Sequence, residues 1–301
     1  MPLKSQLHVD KLLSQISVKY ANAEFIADRA FPVLPVENDT DKYRIYQRNF
    51  RLPEANRADK AKSKEFQFEV STATYSLKYF ALKDYVTDNA IRNYDIADLR
   101  ADTVENLTDA MLRIREKQVA DLFTSTSWSL NVSLAATAQW SSNTVTSNPV
   151  PQFDTAATTI IQNSGQRPNY AIIPRNGYVA AKSHVSILDR VKYTSSEMTP
   201  KILQGLLDVE ELLVPIASYD TSNEGLTESI TSIWDDNAFL GYKPNRASPL
   251  KPSAGYIFQL NEPMVKRWRD EEIAADAIEV NMKYVAKVVS SLSGYLIKDL
   301  T

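Results

Sequence analysis

Two histidines, His8 and His184, and no cysteine make up the supply of imidazole and thiol chemistry in this 301-residue chain. A zinc site would need both histidines plus carboxylates. Without cysteine, disulfides, thiolate metal ligands and a cysteine nucleophile are excluded. His184 stands in Lys182-Ser-His-Val-Ser186, so pairing with Ser183 or Ser186 is one option for nucleophilic chemistry. The reading we prefer is a helix-end histidine in a surface turn, because the usual setting of a nucleophile is missing. That setting, like a phosphate-binding loop, needs closely spaced glycines that let the backbone turn sharply or approach an anion. No two of the seven glycines lie within ten residues of each other, so G-x-G-x-x-G, phosphate-loop and G-x-S-x-G patterns are excluded. Asp235 and Asp236 are adjacent and could serve a carboxylate-based hydrolase, but neighbouring residues in a strand or turn point apart. A simple turn is expected there. We assign no catalytic, cofactor-binding or metal site.

Charge is the next source of chemistry. The net charge is −3, yet residues 42–64 carry eight basic side chains against Glu54 and Asp59, a net of +6. Taken alone, this stretch could be a nucleic-acid-binding module. Residues 95–124 run without Gly or Pro and read as one long helix of about 45 Å. Asp95 is its expected N-cap, with Asp98 in the first turn. Its face is expected to be Ile96, Leu99, Thr103, Leu107, Met111, Ile114, Gln118 and Leu122. Its first half carries Asp95, Asp98, Asp102, Glu105 and Asp109 against Arg100 alone. Those acids form either a solvated face or a dock for the basic stretch of a neighbour.

The elements around these charges can be read from periodicity. Residues 1–30 read as an arm, and the prolines of Phe31-Pro-Val-Leu-Pro-Val36 favour extended chain that lies across a surface more easily than it builds a core. Tyr43, Ile45 and Phe50, then Phe66, Phe68 and Val70, suggest two strands of a long β-hairpin. Such a hairpin cannot be stable alone and must dock. Residues 71–88 continue as strand. Residues 125–150, with Trp128 and Trp140, resemble a loop. Residues 152–262 read as an α/β unit, with helices at 154–163, 176–192 and 199–207 and strands at 169–173, 211–216, 230–234 and 238–242. Residues 273–299 are expected to return to the sheet begun at 71–88, with the long helix packed on it. No segment approaches the roughly 18 apolar residues of a membrane helix, and the N-terminus lacks the apolar core of a signal peptide. A soluble, cytosolic chain is expected.

The order of parts, and several local stretches, resemble the Hong Kong 97-like major capsid proteins of tailed bacteriophages. Phe25-Ile-Ala-Asp-Arg-Ala-Phe-Pro-Val-Leu-Pro-Val36 is similar to that family's opening, and Asp41-Lys-Tyr43 to the start of its extended loop. Arg113-Ile-Arg-Glu-Lys-Gln-Val-Ala120 looks like the end of its spine helix, and Trp140 like the tryptophan before its axial domain. Gly165-Gln-Arg-Pro-Asn169 and Pro252-Ser-Ala-Gly-Tyr-Ile-Phe258 look like the segments that open and close that domain.

The resemblance implies an α+β fold with an N-terminal arm (1–36), an extended loop (37–72), a peripheral domain (73–150 and 263–301, spine helix 95–124) and an axial domain (151–262). It implies a virion shell subunit, assembled in the bacterial host cytoplasm, that is not an enzyme and needs no cofactor. Copies would form pentamers and hexamers, with a separate scaffolding protein, a portal and a decoration protein as partners. The shell would enclose double-stranded DNA without binding it specifically, as suits a mildly acidic container. Some relatives carry an N-terminal scaffolding segment; this sequence starts almost directly at the arm. Lys60, Lys62 and Lys64 lie where some relatives form an isopeptide crosslink, although lysines there also serve solubility. Inter-subunit contact is expected from Tyr43, Arg44, Arg48, Arg51, Lys60, Lys62, Phe66 and Phe68 on the hairpin and from Asp98, Asp102, Glu105 and Asp109 on the helix. An encapsulin-like nanocompartment around a protein cargo is the alternative within the same fold.

Overall fold

The computed structural model describes residues 8–9, 25–46, 55–57, 59, 62–63, 65, 70–93, 98–125, 128–192, 199–222, 227–249 and 251–301. Its backbone is organised by two five-stranded sheets. In the first, Gly255–Asp270 and Ala275–Val288 form a long antiparallel ladder, and Lys78–Thr87 pairs on the far side of Ala275–Val288. His8–Val9 and the parallel strand Val33–Pro35 complete it along Gly255–Asp270. Strict alternation puts Ile278, Val280, Met282 and Tyr284 on one buried face, and Leu82 and Phe80 lie directly opposite Val280 and Met282. The long helix, Leu99–Thr124, covers that face.

The helix matches the expected element, with two corrections. Asp98 is the N-cap, with extended backbone and a carboxylate accepting from the Arg100 N–H at 3.1 Å; Asp95 lies outside the described residues. The buried stripe is also rotated from the expected face. It comprises Val104, Thr108, Met111, Arg115, Val119 and Phe123, with Thr103, Glu116 and Ala120 alongside, while Ile114 is exposed. The apolar pattern misled because two charged residues, Arg115 and Glu116, belong to the buried side.

The second sheet runs Asn131–Ser133, Gly294–Lys298, Ala238–Gly241, Tyr170–Ile172, Glu211–Leu213. Both of its faces are buried, so its central strands are continuous apolar runs rather than alternating ones. Tyr170, Ile172, Phe239 and Leu296 face the end of the long helix. Ala171, Ile173, Ala238, Leu240 and Ile297 face helices Pro149–Ser164, Arg175–Ser183, Val185–Val191 and Pro200–Leu206. Helices and strands do alternate through 149–241, although the first of these helices begins at Pro149, capped by Asn148, rather than at 154, His184 divides the expected 176–192 helix in two, and 255–260, read as part of this unit, pairs into the first sheet. Tyr295–Ile297 departs from expectation. It joins the second sheet through Ala238–Gly241 instead of returning to the first. The stretch 128–150 is likewise no free linker, since Trp128 and Trp140 are buried to 1% exposure and Asn131–Ser133 is a strand.

The segment 25–36 also overturns the surface reading. Ala27–Ala30 is a single helical turn, and Ile26, Ala30, Phe31 and Leu34 are core residues. Phe31 lies on Phe123 at 4.6 Å between ring centroids. It also lies flat against Gly255, where an added Cβ would come within 2.5 Å of the ring. The prolines do hold the chain extended, as expected, but as a strand added to the first sheet.

Candidate assembly surface

The hairpin is the element the sequence marks for contact with other molecules. Thr40–Tyr46 pairs with Val70–Ser76, Thr40 opposite Ser76 and Tyr46 opposite Val70. The expected single strand over 71–88 is broken at Leu77, whose N–H donates to Asp39 O at 2.8 Å; beyond it the chain turns into the first sheet. The base of the hairpin is seated on its own chain. Tyr75 stacks on Phe258 at 4.6 Å with the rings 6° from parallel, and Tyr43 tilts onto the same ring at 5.2 Å. Lys283 and Asp39 pair at 3.0 Å beside them.

Of the residues expected at the interface, Tyr43 therefore has a structural task within its own chain. Arg44 and Lys62 are exposed. Arg48, Arg51, Lys60, Phe66 and Phe68 lie outside the described residues. On the helix, Asp98 is spent as the cap, Asp109 pairs with Arg113 at 2.7 Å, Asp102 is half-buried and Glu105 is exposed. Arg100 pairs with the buried Asp276 of the first sheet at 2.8 Å. Asp98 and Asp109 of the expected acidic face are thus engaged within their own chain.

Sequence reasoning missed the buried charges that seat the N-terminal turn. The Glu116 carboxylate, fully buried, accepts from the backbone N–H groups of Ile26 (3.1 Å) and Ala27 (2.7 Å) and from Trp234 Nε1 (2.6 Å). Ile26, the N-cap of the turn, has no side-chain cap of its own, so a residue ninety positions away supplies it. Burial pushes the Glu116 carboxyl up; the donated hydrogen bonds offset only part of that. Its neighbour Arg115 pairs with Asp28 at 2.6 Å, donates to Gln259 Oε1 at 2.9 Å and lies over the Tyr284 ring. A second clip joins the same turn to the second sheet. Glu211 accepts from Arg29 at 2.6 Å and pairs with Lys243 at 2.5 Å. Burial alone would raise the Glu211 carboxyl, but the Lys243 and Arg29 contacts outweigh it and hold it below the ordinary range. The one available signal was a charged pair, Arg115-Glu116, adjoining an apolar helix stripe.

The groups flagged for chemistry resolve differently. His184 is not at the surface; it is buried to 1% exposure. Its serine partner is Ser147, not Ser183 or Ser186, with Oγ 2.8 Å from Nε2. Nδ1 accepts the Ser186 N–H at 3.2 Å. The proton of a neutral ring then sits on Nε2, so the ring donates to Ser147 and cannot act as its base. Ser147 Oγ in turn donates to Thr144 O and accepts from Thr144 N. Asp236 lies in a turn, as expected, and its Oδ2 accepts from Thr301 N at 2.7 Å. Among the described residues, no group of three or more His, Asp or Glu side chains is arranged to hold a metal ion.

Comparison with known proteins places this architecture. No family model matches the chain. The major capsid protein of Burkholderia phage BcepMu is 27% identical over 303 residues, covering 97% of this chain and 96% of that protein. The major capsid protein of Pseudomonas phage JBD67 is 28% identical over 251 residues, covering 79% and 78%. Among solved structures, a phage-related protein of Bordetella bronchiseptica RB50 covers 98% of each chain with a TM-score of 0.81 and 27% identity. The capsid of cyanophage P-SCSP1u shares the fold at 10% identity, with a TM-score of 0.64 over 93% of this chain and 89% of that one. Related in sequence along nearly its whole length to phage major capsid proteins and built like phage capsid subunits, this chain resembles the major capsid proteins of tailed phages, has a Hong Kong 97-like fold, and plays a structural part in the head shell.

Proposed function

We propose that copies of this chain assemble into pentamers and hexamers that close an icosahedral head around double-stranded DNA. The observation that carries this reading is the end-to-end relation to phage major capsid proteins in a chain whose basic segment rises from a hairpin base, Thr40–Tyr46 with Val70–Ser76, that is seated on its own chain. Twenty-three residues separate Tyr46 from Val70. At about 3.3 Å per residue, that stretch folded into two limbs of about eleven residues each could reach up to roughly 36 Å, enough to lie on an adjacent subunit. The net +6 of residues 42–64 gives orientation and association rate more than affinity. Exposed ion pairs contribute about 0–1 kcal/mol each, so Phe66 and Phe68 outweigh any single arginine in holding the contact. The scaffold, portal and any decoration protein are separate chains, and assembly takes place in the host cytoplasm. No residue of the chain is assigned a catalytic task.

Negative-stain microscopy after size-exclusion chromatography, with and without a candidate scaffold, tests this reading. Rings of five or six, or closed shells, are expected. A monomer that persists at high concentration and with scaffold would overturn it. A particle purified with an enzyme inside rather than DNA would favour the nanocompartment. Salt-dependent DNA binding by the monomer would favour a nucleic-acid module.

A further inference from the structure

We propose that His184 is a proton-operated switch at the junction of helices Arg175–Ser183 and Val185–Val191. The junction is held by three contacts that converge on two residues. His184 Nδ1 caps the second helix by accepting the Ser186 N–H at 3.2 Å, and its Nε2 meets Ser147 Oγ at 2.8 Å. Asn143 Oδ1 accepts the Val185 N–H at 2.9 Å. The histidine thus ties the turn 143–147 to both helices, and its ring is sealed in at 1% exposure.

A neutral ring satisfies this geometry and a charged one does not. Imidazolium carries a proton on both nitrogens. The proton on Nδ1 would point at the Ser186 N–H, so a cap becomes a donor facing a donor. The Nε2 side gives no relief. Ser147 Oγ already accepts the Thr144 N–H and donates to Thr144 O. The polar groups that face the ring, from the turn and from the second helix, are the Ser147 hydroxyl and the Ser186 amide. Among the described residues no charged side chain acts on it, and burial holds the histidine below its ordinary pKa. A carboxylate that could accompany the proton is therefore absent from its surroundings among the described residues.

What the switch would move is defined by packing. Ile187 of the second helix is fully buried in the same core cluster as Tyr178 and Ala181 of the first. Val185 and Leu188, on the outer side of the same helix, are exposed at 51% and 47%. Losing the cap frees the first turn of a seven-residue helix, which is too short to persist without its tertiary contacts. The sign follows from linkage. The folded chain resists a proton that the unfolded chain accepts below a pKa of about 6.5. The contribution of His184 is whole above that value, and it falls up to about tenfold in the folding constant per pH unit until the ring protonates in place.

The test uses the chain's poverty in histidine: only His8 and His184 titrate as imidazoles. In a His8→Ala background, the His184 ring resonances followed by NMR should titrate below the ordinary value, and the Ser186 amide should shift along the same curve. Urea unfolding of His184→Asn supplies the second arm, since asparagine keeps a capping oxygen and loses the proton site. Its stability should lack the extra decline below pH 6.5 seen in the parent. A His184 ring that titrates at or above 6.5, or a Ser186 amide that ignores it, overturns the switch. So would identical pH profiles for parent and variant. None of these readouts depends on assembly, so they leave the shell reading untouched.

Discussion

The two faces of the second sheet solve the same burial problem in opposite ways. The face toward the long helix is aromatic and packs against a helix that carries buried ions. Phe123 touches Phe31, Trp234, Phe239 and Trp128 with centroids 4.6–5.9 Å apart, and Arg115 and Glu116 lie buried on the same helix. The face toward the short helices is mostly aliphatic, and its buried polar pair, Ser147 and His184, is neutral. The ions act at long range in sequence, drawing residues 26–29 onto the helix and onto Glu211. The neutral pair closes a junction thirty-seven positions wide. A buried charge is costly unless several donors converge on it, and only a segment brought in from elsewhere can supply backbone donors unused by local structure. The ionic side therefore fixes where the N-terminal segment goes, and the neutral side fixes how two adjacent helices meet.

The contrast can be broken in stages. Phe123→Ala should have the largest effect, a loss of about 3–5 kcal/mol in urea unfolding, because it empties the place where the N-terminal segment, the helix and the second sheet meet. Loss below 1 kcal/mol would mean that this aromatic cluster is not the joint described. Glu116→Gln comes next, at about 1–3 kcal/mol, since an amide turns one accepting oxygen into a donor facing the Ala27 N–H. Limited proteolysis should then cut near residues 25–31 before the body of the protein; unchanged protection there would show that the carboxylate does not seat the turn. Glu211→Gln should cost least, about 0.5–1 kcal/mol, because the clip is partly exposed and screened. Its folded pKa is lowered, so the contribution is present above the ordinary glutamate value of about 4.3 and is lost as pH falls through the folded value. Parent and variant should therefore converge in stability at acid pH, and a gap that persists there would place the clip's contribution elsewhere.

The strong periodic elements were legible before the structure. The long helix has no Gly or Pro, and 278–284 alternates strictly, so each declares its type. The buried strands 170–172 and 238–241 are short apolar runs bounded by turn residues. The basic hairpin was legible as charge, and the family resemblance as an order of weak local stretches. The order of strands in the two sheets was not legible. Tyr295–Ile297 has the same β-forming composition as its predecessors, and nothing local says which sheet will accept it. The register beside Ala238–Gly241 decides, helped by Gly294, where an added Cβ would come within 2.3 Å of the Phe239 ring. The roles of Glu116 and His184 were equally hidden, because each depends on donors or acceptors far along the chain. Residue type and spacing alone set the local elements, the absence of thiol chemistry and the uneven charge. Which charges are spent inside the chain emerges on folding, because burial and hydrogen-bond geometry are properties of segments brought together, not of any segment alone.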